Sequence, residues 1–192
     1  MATYSVDETK SLRITLTENV NSITLTQSGT NMVATLASGT FTPTSDSYGT
    51  GNQISIPFTN ITKSFILDTE TPNEPGGDVK FMNLTYNVET FKVELPTATN
   101  TVEFNGATIT ASAELTVNIG KNILVNNNSN IVATGSANLE FKANTEVPYT
   151  SGNFKGIEIS ASTVVEVTGT GNIDLKGRGG DDSGGLQYGL HI

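Results

Sequence analysis

The fold is decided by residues 134–143, TGSANLEFKA, which recur without a gap as residues 168–177, TGTGNIDLKG. Four of the ten positions are identical and the other six are close in chemical kind. Within each copy apolar and polar residues alternate, as in a strand that buries one face. A second match follows, because residues 152–159, GNFKGIEI, correspond to residues 185–192, GLQYGLHI. The first offset is 34 and the second is 33, so this half of the chain is an internal repeat.

A third copy is predicted earlier in the chain, where residues 106–127 align with residues 156–177 at an offset of 50. Repeats of short strands indicate a stacked array, because one repeat cannot bury its apolar face alone. The turn-rich segments 144–153 and 178–187 lie at equivalent places and are expected to protrude as loops. That would explain the unequal offsets.

The repeat predicts matched positions in the core. Ile109, Ile159 and Ile192 are expected to point inward at equivalent places, and so are Leu139 and Ile173.

Strand patterns also occupy the rest of the chain. Residues 11–17, 53–56, 90–95 and 114–119 alternate apolar and polar residues, and no stretch has apolar residues at helical spacing. Five of the six prolines lie at or before Pro96. Because proline cannot donate to a strand ladder, the first half is expected to contain edges and irregular loops.

The predicted fold is all-β: a right-handed parallel β-helix, or solenoid, with a less regular N-terminal β region. We expect residues 1–97 to cap or begin the coil. Residues 98–192 would then be β-helix repeats, cut off within a repeat at the C-terminus. A β-sandwich of short strands is the alternative.

Two segments, residues 100–112 (NTVEFNGATITAS) and residues 169–175 (GTGNIDL), resemble giant bacterial surface proteins built of β-strand repeats. The chain is similar in this respect to filamentous-haemagglutinin-type adhesins and autotransporter passengers. The resemblance implies a parallel β-helix, exposure at the cell surface and an adhesive or structural role without catalytic residues. The N-terminus lacks the pattern of a signal peptide, so an excised piece of a larger extracellular protein is expected.

Composition excludes several classes of partner. The net charge of −9 is spread over both halves, which disfavours nucleic acid because phosphate binding needs clustered lysine and arginine. No stretch approaches the roughly 20 apolar residues that span a bilayer, so membrane insertion is not expected. The chain has no cysteine and therefore neither a disulfide nor a cysteine-ligated metal.

Few residues are candidates for chemistry. His191 is the single histidine, occupies the position of Glu158 in the repeat, and is expected to be an outward strand residue. Asp181 and Asp182, in the segment GGDDSGG, are the candidate oxygen ligands for Ca²⁺. A polar loop without an ion is the alternative. No other cofactor is expected.

The predicted function is that of a structural or adhesive segment of a larger extracellular surface or filament protein, without catalysis. The alternatives are a glycan-binding module and a carbohydrate-active enzyme on a β-helix, which would need paired carboxylates. Glu158, Glu166 and Asp174 alternate with apolar residues as ordinary outward residues do. The expected partners are further copies of the chain, through self-association at the coil ends, or a surface glycan.

One asparagine run has two interpretations. Residues 126–128, Asn-Asn-Asn, are predicted to turn a corner, because asparagine tolerates left-handed backbone geometry. An asparagine ladder between neighbouring coils is the other interpretation.

Overall fold

A computed structural model of the chain describes residues 1–17, 22–69, 77–96, 100–185 and 187–192. Strands account for 57% of the structure, and the described residues contain no α-helix. One short 3-10 helix lies at Phe58–Asn60. The prediction of an all-β chain is therefore confirmed.

The described residues form eighteen strands in two mixed sheets. The larger sheet contains ten strands: β1 (Ala2–Val6), β2 (Ser11–Leu16), β5 (Phe41–Pro43), β7 (Ser64–Thr69), β9 (Thr85–Leu95), β11 (Thr108–Ile119), β13 (Asn130–Ala133), β14 (Asn138–Ala143), β16 (Val164–Val167) and β17 (Ile173–Gly177). The smaller sheet contains eight: β3 (Ser22–Ser28), β4 (Asn31–Leu36), β6 (Gln53–Pro57), β8 (Asp78–Met82), β10 (Thr101–Asn105), β12 (Asn122–Asn126), β15 (Ile157–Ile159) and β18 (Leu190–His191).

From β8 onward the chain repeats one arrangement, which we call a strand triplet. The four triplets span residues 78–95, 101–119, 122–143 and 157–177. Each begins with a strand of the smaller sheet and continues through two segments of the larger sheet. In the first two triplets the two segments are the two halves of one long strand, β9 or β11. In the last two triplets they are separate strands, β13 and β14 or β16 and β17. Every segment pairs in parallel with its equivalent in the next triplet.

The pairing confirms two of the three predicted repeat offsets. Strands β14 and β17 are in register with Leu139 opposite Ile173, which is the offset of 34. Strands β15 and β18 place Glu158 opposite His191, which is the offset of 33.

The third predicted match, of residues 106–127 with residues 156–177, is wrong. Ile109 lies opposite Ile131 in the larger sheet, whereas Ile159 lies in the smaller sheet opposite Val125. Any two alternating strands match at their apolar positions, so alternation alone does not reveal which sheet a strand joins.

Among the described strands, antiparallel pairing occurs only within β1–β6, where β1 pairs with β2, β3 with β4, and β4 with β6. Parallel pairing already occurs in this part of the chain, between β1 and β5, and it joins β2 to β7 and β3 to β8. It continues from β9 to β11, across the predicted boundary at residue 97. A division of the chain at that point stays a prediction.

The inward faces of the strands form one apolar core. At its centre lie five phenylalanine rings: Phe65, Phe81, Phe91, Phe104 and Phe141. Rings that face each other on neighbouring strands stack, with centroids 5.2 Å apart for Phe65 and Phe91. Such pairs contribute about 0.5–1.5 kcal/mol beyond the burial of their area.

Burial agrees with the predicted core only in part. Ile109 and Leu139 are fully buried, as expected. Ile173 is in register with Leu139 but is 47% exposed, because in the described residues no strand pairs with the outer side of β17. Ile159 is half-buried and Ile192 is 81% exposed, so the prediction for Ile192 is wrong.

Candidate functional site

A groove of about 470 Å³ lies on the outer face of the larger sheet, across β11, β14 and β17. Its lining is mainly polar and comprises Ala113, Glu114, Thr116, Asn138, Leu139, Glu140, Asn172 and Asp174. The volume lies within the range of small-molecule sites. We refer to these eight residues as the outer groove.

Beside the outer groove, each triplet has a connection between its two segments of the larger sheet, which we call the corner. The corner lengthens from triplet to triplet. Between the two segments of the larger sheet, β9 has the single residue Glu89 and β11 has the pair Ser112 and Ala113. The next two triplets have residues 134–137 and 168–172 at this place. Because the groove residues Ala113, Asn138 and Asn172 lie in or next to this corner, its growth shapes one side of the groove.

Glycine is required where successive corners pack together. A Cβ atom on Gly169 would lie 1.8 Å from the carbonyl oxygen of Gly135. The backbone N–H of Thr170 donates to that same oxygen at 2.7 Å, which fixes the two corners against each other. The close approach therefore depends on the absence of a side chain.

The groove residues form two columns that run across the strands. In one column Thr116, Glu140 and Asp174 lie opposite one another in successive triplets. In the other, Glu114 lies opposite Asn138, whose side-chain oxygen accepts the backbone N–H of Asn172 at 2.9 Å. Stacking of equivalent strands thus repeats similar polar groups at the spacing between strands, about 4.8 Å.

Like charges that face each other would destabilise the sheet, and lysines offset this effect for Glu140 and Asp174. Lys142 Nζ lies 2.7 Å from Glu140 Oε1, and Lys176 Nζ lies 2.5 Å from Asp174 Oδ2. The hydrogen bond to Glu140 raises the pKa of Lys142 above its usual value; attraction by Glu140, Asp174 and Glu94 adds to this, and partial burial opposes it.

The remaining carboxylate of the outer groove is also paired. Glu114 Oε1 lies 3.9 Å from Lys92 Nζ and accepts the hydroxyl of Thr116 at 3.1 Å. Carboxylate and amide oxygens therefore face the groove beside lysine and amide donors. This arrangement can hydrogen-bond ligand groups that both donate and accept.

A smaller cavity of about 310 Å³ lies elsewhere on the surface, lined by Phe58, Thr59, Thr62, Thr85, Tyr86 and Asn87. The rings of Phe58 and Tyr86 are tilted, with centroids 5.5 Å apart. The Tyr86 hydroxyl donates to the carbonyl of Ile61 at 2.5 Å, and burial raises the pKa of this phenol well above its ordinary value. This cavity is therefore built around a tyrosine that is already engaged in the core.

The candidate calcium ligands lie in a loop contact. Asp181 accepts hydrogen bonds from the Ser151 hydroxyl and from the Gly152 backbone, each at 3.2 Å. Asp182 donates its backbone N–H to the Gly152 carbonyl at 3.4 Å. In the described part of the chain no group of three or more His, Cys, Asp or Glu side chains could hold a metal ion. A calcium site at Asp181 and Asp182 stays a prediction.

These contacts join two long loops that leave the larger sheet at the same corner. Residues 144–156 connect β14 to β15, and the described residues 178–185 and 187–189 lie between β17 and β18, so the turn-rich segments 144–153 and 178–187 lie outside the strands where they are described. The guanidinium of Arg178 lies 3.9 Å from the ring centre of Tyr149, which holds the two loops side by side. The two loops therefore contact each other through an aromatic ring and a charged group.

His191 is an outward strand residue beside Glu158, as predicted. Its Nδ1 lies 3.2 Å from Lys155 Nζ, and Lys155 pairs with Glu158 Oε1 at 2.5 Å. The His191 ring also stacks on Tyr188. These contacts tie β18 to the neighbouring β15.

The structure separates the three carboxylates considered from the sequence. Glu158, Glu166 and Asp174 lie in β15, β16 and β17, and only Asp174 reaches the outer groove. There it meets Glu140 and Glu114, which the sequence did not single out. The available signal was that Glu140 and Asp174 occupy the same position of the ten-residue repeat.

The prediction that residues 126–128 turn a corner is confirmed, and one asparagine pair links neighbouring triplets there. Asn127 and Asn128 have positive φ angles of 51° and 59° and turn the corner between β12 and β13. Asn127 also donates its side-chain amide to Asn105 Oδ1 of the preceding triplet at 2.7 Å. The residues turn the corner and connect neighbouring triplets.

An ionised glutamate lies beside this corner. Burial opposes the charge of Glu103, but hydrogen bonds from Asn105 and Asn126, together with the nearby Lys80, outweigh it. The pKa of Glu103 is therefore lower than its ordinary value. The amides lie 3.0 and 3.2 Å from Glu103 Oε1.

No protein-family model, curated protein or solved structure matches this chain. The described residues include no helix long and apolar enough to cross a membrane.

Proposed function

We propose that the chain winds as a right-handed parallel β-helix. In-register parallel pairing of equivalent strands through four triplets supports this proposal, because sandwiches are built from antiparallel sheets. The handedness rests on a general rule, since crossovers between parallel strands of one sheet are right-handed in almost all proteins.

On this framework we propose an adhesive segment of a larger extracellular surface or filament protein, related to filamentous-haemagglutinin-type adhesins and autotransporter passengers. The stacked triplets supply a rigid body with one continuous core. The observation that carries the proposal is the outer groove, a polar concavity on the face of the sheet. Binding sites combine such concavities with a few convergent polar groups.

The proposed function is binding, without catalysis. Each groove carboxylate has a lysine within 3.9 Å, so its charge is already partly offset in the free protein. Such a surface is suited to hold a ligand in place. A carbohydrate-active enzyme on the same fold is the alternative, and release of reducing ends from polysaccharides would favour it.

Adhesion can be measured directly. Beads coated with the purified chain are expected to adhere to cultured epithelial cells in a saturable manner and to be displaced by the soluble chain. Beads coated with an unrelated β-protein of similar net charge are the control. In the producing organism, an antibody raised against the chain should label intact cells. Equal adhesion of both kinds of bead, or labelling only after cell lysis, would contradict the proposal.

A further inference from the structure

We propose that the outer groove binds a neutral oligosaccharide in extended form, with its axis across the strands of the larger sheet. This inference rests on the adhesive function proposed above and names the class of ligand. Four properties of the groove lead to it: its hydrogen-bonding groups, its charge balance, its direction and its rigidity.

The hydrogen-bonding groups match hydroxyls. A hydroxyl donates one hydrogen bond and accepts others, so it needs acceptors and donors at close range. Glu140 and Asp174 offer carboxylate oxygens, and each uses only part of its accepting capacity on its lysine. The side chains of Asn138 and Asn172 add amide groups beside them.

The charge balance favours a neutral ligand. Each of the three groove carboxylates, Glu114, Glu140 and Asp174, has a lysine within 3.9 Å, and the lysine beside Glu114, Lys92, is shared with Glu94 at 3.3 Å. A cationic ligand would compete with these lysines. An anionic ligand would approach carboxylates on a chain whose net charge is −9.

The direction follows from the columns. Glu140 and Asp174 lie opposite each other on neighbouring strands, as do Glu114 and Asn138, so polar groups repeat at the distance between strands, about 4.8 Å. This distance is close to the length of one hexose unit in an extended chain. A polymer of identical sugars can therefore place successive units against successive strands, which requires its axis to cross them.

The floor of the groove is rigid. Leu139 is fully buried, and Thr116 is 7% exposed although it lines the groove. The strands that form the floor are therefore fixed before a ligand arrives, which lowers the entropy lost on binding.

The test is titration calorimetry with neutral oligosaccharides of two to six units, namely β-1,4-linked glucose, mannose and xylose series. A uronic acid series of the same lengths is the charged comparison. We expect at least one neutral series to bind, with affinity that rises with length and then levels off. The absence of binding by every neutral series, or tighter binding of the uronic acid series, would overturn the inference.

Substitutions locate the site. Glu140→Gln and Asn138→Ala are each expected to weaken binding roughly tenfold, the effect of losing one hydrogen bond to a charged or amide group. Glu166→Gln removes a carboxylate from an outward position of β16, outside the groove, and is the matched control. Circular dichroism and melting curves would show that the variants fold. Equal loss of affinity in the control, or none in the groove variants, would place the ligand elsewhere.

Cell adhesion separates this inference from the function on which it rests. Periodate oxidation of the cell-surface sugars should abolish adhesion of the coated beads. If adhesion survives both periodate and Glu140→Gln, the inference fails and the adhesive function stands. If untreated cells do not retain beads that carry the unaltered chain, the adhesive function itself fails.

Discussion

Phe81 and Phe104 lie directly opposite each other on β8 and β10, and their rings stack nearly in parallel, with centroids 5.1 Å apart. Phe104 also stacks on Phe141 at 6.1 Å, across the core from the other sheet. This ring is therefore a point where successive triplets and both sheets meet.

Replacing Phe104 by alanine is expected to lower the free energy of unfolding by about 3–5 kcal/mol, because the cavity would not close among packed rings. Urea unfolding monitored by circular dichroism measures the change. Val147→Ala is the control, since that side chain is 74% exposed on a loop. Equal, small effects of both substitutions would mean that the phenylalanine stack does not hold the core together.

The contribution of the corner glycines can be tested in the same way. Gly169→Ala places a Cβ atom 1.8 Å from the Gly135 carbonyl oxygen, so the corner must move. We expect a loss of about 1–3 kcal/mol in unfolding free energy, as in other overpacked sites. Gly184→Ala is the control, because its Cβ would meet only the end of the Asn153 side chain at 3.4 Å. A Gly169→Ala protein as stable as the control would contradict the close packing of the corners.

The sequence predicted the all-β character, the repeat offsets of 34 and 33, and the position of the two loops between strands. These features are local, or depend on residues such as Asn138 and Lys142 that recur at the same repeat positions as Asn172 and Lys176. The offset of 50 failed because alternating strands resemble one another whichever sheet they join.

The outer groove could not be predicted in the same way. It depends on the lateral pairing of strands that are far apart in the sequence, with Glu114 opposite Asn138 and Glu140 opposite Asp174. It also depends on a corner whose length changes in each triplet. Neither feature appears in the alternation of any one strand.

Lowering the pH should reveal how much the ionised Glu103 contributes to the free energy of unfolding. Its pKa is lowered in the folded chain, so its contribution to stability is complete above the ordinary pKa of 4.5 and is lost as the pH falls through the folded value. The free energy of unfolding of the unaltered chain should therefore fall more steeply below about pH 4.5 than that of Glu103→Gln. Unfolding titrations at several pH values measure both slopes.

Asn126→Ala provides a second test of the same interaction, because it removes one hydrogen bond to the carboxylate while retaining the charge. Its slope should lie between the other two. Parallel slopes for all three proteins would show that the amide contacts do not stabilise the ionised form.

Calcium is expected to have little effect on stability. The Asp181 carboxylate already accepts two hydrogen bonds from residues 151 and 152, and the described residues offer no group of three or more His, Cys, Asp or Glu side chains that could hold a metal ion. Melting temperatures with calcium and with a chelator should agree within a few degrees. A large increase with calcium that is lost in the double variant Asp181→Asn, Asp182→Asn would establish a site there.

The last prediction concerns the outer edge formed by β16, β17 and β18, where Val164, Ile173 and Leu190 are 41–47% exposed. In the described residues no strand pairs with this edge. At the opposite end of the sheets, β5 and β6 carry Pro43 and Pro57, which hinder the addition of a strand.

We therefore expect two copies to associate through this edge. Antiparallel pairing of two β17 strands about Leu175 would place Asp174 of each copy opposite Lys176 of the other, so the charges are complementary. The net charge of −9 opposes association, and salt should strengthen it by screening that repulsion. Sedimentation at several protein and salt concentrations measures the effect.

Ile173→Lys should abolish the association, because it places an unpaired cation in the apolar contact. Val147→Lys is the control, since Val147 is 74% exposed in the loop between β14 and β15 and away from the edge. The edge would be excluded as the contact if both variants associated like the unaltered chain. A monomer at every concentration and salt level would contradict the prediction, because salt would then have screened the repulsion between copies without revealing any pairing.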